Sequence, residues 1–159
     1  MVEGVYVPIE MGGLGVVLSL HTSVNPTAES WLEFLDVLRA VLKEHRGNVD
    51  ELRGIVISDG GAPNATQRKQ VMDVVHGKPN KIGVITNSLD NPLKRGVATA
   101  ITWLNPAFRA VPPARWSEIF AHLDLQAHVD EVLLEFEAMQ AKLPKVTTLA
   151  EVRRLVTLS

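Results

Sequence analysis

Cysteine is absent, which excludes disulfides, thiol chemistry and Cys-ligated zinc or iron–sulfur centres. Aromatic residues are scarce, at 5%, and Trp103, Trp116 and Phe120 read as core or domain-edge packing rather than a cofactor cage. Neither sign of charge dominates: the formal net charge is -2, so no global field favours nucleic acid or anionic lipid. No apolar run approaches the roughly 18 residues that a membrane span requires. The opening MVEGVYVPIE carries an early Glu and no basic stretch before an apolar one, so no signal peptide is expected and a cytoplasmic, bacterial-type protein is.

Chemical motifs are missing as well. The five histidines stand at 21, 45, 76, 122 and 128, with no i, i+4 pair, no HExxH and no EF-hand loop, so no metal site is expected. His45 and His76 read as polar caps near helix C-termini, and His21 as a solvent-facing or satisfied strand residue. There is no GxSxG elbow and no Walker-type loop. Gly12, Gly13 and Gly15 precede a strand rather than a helix, which removes the dinucleotide-binding reading. No repeat or low-complexity segment is present.

What is there is a regular alternation of strands and helices. At 159 residues the chain can bury a real core. Val5, Val7 and Ile9 alternate, Gly12-Gly13 breaks the run, and Val16 to Leu20 resumes it. That is a hairpin closed by a glycine turn. Trp31, Phe34, Leu35, Leu38, Val41 and Leu42 make one helical stripe after the capping segment Asn25-Pro26-Thr27, and Gly47 ends it. The apolar run 54–58 and its counterpart KIGVIT (81–86) read as strands covered on both faces. Asn64 and Gln67 form a capping box that opens a second helix. Asn91-Pro92 opens a third, with Leu93, Val97, Ile101 and Leu104 on one face, and residues 103–108 expected to pack it back on the sheet. Phe108 to Val111 is a last short strand, and Trp116, Ile119, Phe120 and Leu123 mark a short helix.

The expected fold is therefore α/β, in the order β-β-α-β-α-β-α-β-α: a mainly parallel sheet with an N-terminal antiparallel hairpin. Residues 1–125 form the α/β domain. Residues 126–159 read as a helical extension, packed on that domain or on a partner chain. Its stripe runs through Val129, Val132, Leu133, Phe136, Met139 and Leu143, and Thr148-Leu149-Ala150-Glu151 reads as a capping box for a final helix.

The carboxyl ends of parallel strands are where ligands and partners are received. Ser58, Asp59, Gly60 and Gly61 end the third strand, Asn64, Thr66 and Arg68 begin the next helix, and Thr86, Asn87 and Ser88 end the neighbouring strand. The cluster reads either as turn and helix capping alone or as a recognition and phosphorylation surface. Arg68 and Arg95, early in their helices where a cation opposes the dipole, read either as solvated or as pairing with a carboxylate or anion.

This order of elements, with GIVIS followed by Asp59-Gly60-Gly61 and a capped helix, resembles the STAS domain. That is the fold of bacterial anti-sigma-factor antagonists, which shares its architecture with the CRAL-TRIO (SEC14-like) group. The resemblance covers about residues 3–125 and includes the later KIGVIT strand, the NPLKRGVATAI helix and the FRAV strand leading into RWSEIFAHLDL. It implies a non-enzymatic regulatory module without a cofactor, binding a protein partner such as a kinase or anti-sigma-type regulator at residues 58–68, with Asn87 and Arg95 nearby. In the family the strand ends in Asp-Ser-Ser/Thr-Gly and the Ser is phosphorylated. Here Ser58 precedes Asp59 and Gly60 takes the acceptor's place, so Thr66 and Ser58 are the remaining candidate acceptors. Two alternatives stand beside it. One is a protein or enzyme using the same strand ends as a pocket for a nucleotide, phosphate or lipid. The other is a homodimer built on the C-terminal helices.

Overall fold

A computed structural model describes residues 2–96 and 105–159. β1 (Gly4–Met11) and β2 (Leu14–His21) pair antiparallel. Gly12 and Gly13 join them with φ of 55° and 81°, the left-handed conformation that a two-residue hairpin turn needs. β3 (Leu52–Ser58), β4 (Lys81–Thr86) and β5 (Phe108–Val111) follow, each parallel to its predecessor. The sheet order is β1-β2-β3-β4-β5.

Because each crossover advances one place in the same direction, the connecting helices fall on one face. α1 (Ala28–Glu44) and α2 (Ala65–Val74) lie there. Trp31, Leu35, Leu38, Val41 and Leu42 of α1 pack with Val17, Leu52, Val74 and Val75, the stripe expected from the sequence apart from Phe34, which is half-buried. Thr27 caps α1 by accepting from the Ser30 N–H at 3.1 Å. His45 ends α1 and also bridges Glu51 and Glu10, at 3.1 Å and 2.8 Å. Glu51, then Glu10, hold its pKa above the usual histidine value. Residues 92–96 are helical. The expected continuation through Val97, Ile101 and Leu104, and Trp103 with it, lies outside the described residues.

The opposite face is covered by α3 (Trp116–His122), α4 (Val129–Gln140) and α5 (Thr148–Leu158). Val132, Leu133, Phe136, Met139, Leu149 and Val152 share one core with Val16, Leu18, Leu20, Ile55, Ile57 and Ile85. The C-terminal stripe is thus buried on the chain's own sheet, as the outer layer of an α/β/α arrangement. Gly83 lets α3 approach closely: a Cβ there would fall 2.4 Å from Ile119 Cγ2.

The start of α5 departs from the sequence reading. No capping bond comes from its own first turn. Instead the Asp59 carboxylate, at the end of β3, accepts from the Thr147 N–H at 2.8 Å and the Thr148 N–H at 2.9 Å. The Thr147 hydroxyl donates to it at 3.2 Å, and the Thr148 hydroxyl lies 2.7 Å from Asp59 Oδ1 and 2.9 Å from the Ser58 carbonyl. A charged acceptor held on a strand end satisfies the free N–H groups and complements the helix dipole, which a local Thr–Glu box does less strongly.

Candidate functional site

Strand alternation and parallel register set out the site. On the α1–α2 face, Ser19 lies beside Val56, Val56 beside Val84, and Val84 beside Ala110. One step toward the carboxyl ends, His21, Ser58 and Thr86 form a second row. One step the other way, Ile82 lies beside Phe108. These rows are apolar in the middle of the sheet and polar at its end. Val56, Ile82 and Val84 belong to central strands yet are only half-buried. Among the described residues, the α1–α2 face of β3 and β4 is less closely packed than the opposite face.

Above these rows lies a cavity of about 180 Å³. Trp31 and Phe34 of α1, Val71 and Met72 of α2, and Tyr6 of β1 wall it. Their rings form a chain: Trp31 to Phe34 at 4.7 Å, Phe34 to Tyr6 at 5.2 Å, Tyr6 to His21 at 5.3 Å. With Phe108, four of the seven described Phe, Trp and Tyr residues line this one space. Trp31 is fixed by donating its Nε1–H to the Gln67 carbonyl at 3.1 Å. Burial pushes the Tyr6 hydroxyl up to about 12, and it lies 3.2 Å from Ser30 Oγ.

The residues singled out from sequence divide four ways. Ser58, Gly60, Gly61 and Arg68 line the cavity. Ser58 is buried; its Oγ accepts from the Gly60 N–H at 2.9 Å and donates to the Gly61 carbonyl at 3.3 Å. Gly60 has φ +127°, and a Cβ on Gly61 would fall 2.2 Å from the Val24 carbonyl oxygen, so the loop closes only with glycine there. Asp59 and Asn87 turn toward α5 instead, Asn87 donating to Thr147 Oγ1 at 3.0 Å. Asn64 caps α2 through the expected reciprocal bonds with Gln67, at 2.8 Å and 2.9 Å. Thr66 and Arg95 are exposed.

Arg68 is held at the rim by donating Nη1–H to the Pro63 carbonyl at 2.8 Å. Its Nε is buried without a partner. Lys94 also lines the cavity, with Gly60 and Ser88 beside its stem. No Asp or Glu is among the described lining residues.

His21 corrects the sequence reading most sharply. It is neither solvent-facing nor satisfied: it is 6% exposed and its Nδ1 has no hydrogen-bond partner. Burial pushes its pKa down to about 4. Above pH about 6.5 the residue is neutral folded or unfolded. Below that the unfolded chain takes up a proton that the folded chain refuses until about 4, so stability falls as pH drops through that window. His21→Gln should flatten that part of the pH–stability curve relative to wild type in urea titrations; an unchanged slope would show that His21 titrates normally.

Sequence reasoning missed His21, Tyr6, Phe34, Val84 and Lys94. One signal was there: Ser19 and His21 alternate with Leu18 and Leu20, which puts polar groups on a strand face that a helix must cover. Among the described residues no three His, Asp or Glu side chains converge as a metal site, and no helix is long and apolar enough to cross a membrane. No family model, curated protein or solved structure matches the chain.

Proposed function

We propose that the chain is a small-molecule-binding module on a STAS-like α/β unit, with the cavity between the sheet and α1–α2 as its binding site. One observation carries this reading. The centre of a sheet is normally filled to crystal-like density, whereas here the described residues leave Val56, Ile82 and Val84 only partly buried beneath an aromatic wall. An apolar pocket with a few polar groups at one end is the usual form of a ligand site. The Ser58 hydroxyl is occupied by its own loop, so binding rather than turnover is the role proposed.

A panel of small aromatic and short acyl compounds, read by thermal shift, tests it. A ligand near saturation should raise the melting temperature by roughly 5 °C. Val84→Phe, which places a ring in the space, should abolish the shift while keeping the fold. A filled variant that still responds would move the site elsewhere.

A second reading, the STAS-type partner surface, is supported by Thr66, whose hydroxyl is exposed in the first turn of α2 where a phosphate would favour the helix dipole. It receives less from Asp59 and Asn64, whose polar groups are already engaged within the chain. A kinase or anti-sigma-type regulator is the partner this reading names, and Thr66→Glu should alter its binding.

A further inference from the structure

The cavity is apolar in its body, but its charge is one-sided. Arg68 and Lys94 line it and no described carboxylate does. Neither cation has a salt-bridge partner among the described residues. Of the two acids in the adjoining loops, Asp59 is turned to the opposite side of the sheet, where two N–H groups and two hydroxyls engage it, and Asp90 is exposed and not among the lining residues. A cation partly withdrawn from water with no counter-ion is costly, and proteins normally pair such groups.

We propose that the ligand is a small organic acid whose carboxylate is received by Arg68, with its apolar body against the aromatic wall. This deepens the binding reading given above and rests on it. The guanidinium is already oriented: Nη1 is tied to the Pro63 carbonyl at 2.8 Å. Its Nε atom is left buried and unpaired. That atom belongs to one of the edges with which arginine meets a carboxylate in a two-point contact. Lys94, which also lines the cavity, adds a second positive charge near Gly60. Thr86 Oγ1 and Ser88 Oγ, 2.9 Å apart, offer hydroxyls at the same end.

Size narrows the class further. The space of about 180 Å³ is little larger than the roughly 150 Å³ cavity that accepts benzene in an engineered protein core. A ring or short acyl chain bearing one carboxylate fits. A nucleotide or a two-chain lipid would have to extend beyond that space.

Phenylacetate and 2-phenylethanol, the same ring with and without the charge, separate the possibilities by calorimetry on the full chain. Phenylacetate should bind about tenfold or more tightly than the alcohol, the size of one charged contact. Arg68→Met should bring the two affinities together, and Lys94→Met should narrow the gap less. Equal binding of acid and alcohol by the wild type would overturn the acid assignment and leave the cavity reading standing. Binding of neither would remove both. The wild-type comparison decides even if a variant does not fold.

Discussion

Asp59→Ala is expected to destabilise the fold by about 3 kcal/mol, beyond the roughly 1 kcal/mol of an ordinary helix cap. The carboxylate serves four donors on Thr147 and Thr148, and Thr148 is fully buried. Removing it leaves the Thr148 N–H unpaired in a place water does not reach, with its hydroxyl reduced to the Ser58 carbonyl. Buried donors without partners cost more than the bond itself was worth. Urea unfolding of wild type, Asp59→Ala and Asp59→Asn measures this, with the asparagine variant intermediate because one acceptor oxygen remains. A loss below about 1 kcal/mol would mean that α5 docks without this tie. Hydrogen exchange should show the first turn of α5 opening first in both variants.

Phe136→Ala should cost about 3–5 kcal/mol, the usual loss for a buried phenylalanine. Phe136 lies in the segment that reads from sequence as an extension, yet it is 0% exposed and packs in the same core as Leu18, Ile55 and Ile85. Its truncation should therefore hurt as much as Phe120→Ala, a change in the expected α/β domain itself. The two urea midpoints give the comparison. Removing everything after Leu125 should uncover Leu18, Leu20, Ile55 and Ile57 together and give an aggregating chain rather than a trimmed domain. A soluble, cooperatively folding 1–125 fragment would show that the sheet does not need this layer.

Local signals made much of the fold legible. The Gly12-Gly13 turn, the α1 stripe and the Asn64–Gln67 capping box each depend on residues a few positions apart, and the strand–helix alternation then implies a largely parallel sheet. The site was less legible because it depends on register between strands. Ser19, His21, Ser58 and Thr86 become neighbours only once β2, β3 and β4 are aligned. Ser58 and Arg68 could be named from the strand-end rule, but not the cavity between them. Asp59 shows the limit most plainly. Its loop could be recognised, whereas its partners stand 88 and 89 residues further along the chain. Adjacent residues in an extended segment point to opposite faces, so Ser58 and Asp59 serve opposite sides of the sheet.

The proposed ligand site is the space over Val56 and Val84. A crystal of the protein soaked with iodobenzene tests it most directly, because the iodine is located by its anomalous signal. One dominant iodine position is expected between Val84 and the Trp31–Phe34 wall, absent from Val84→Phe crystals. Iodine bound only at the surface, or side chains collapsed onto Val56 and Val84 so that no ring enters, would contradict it.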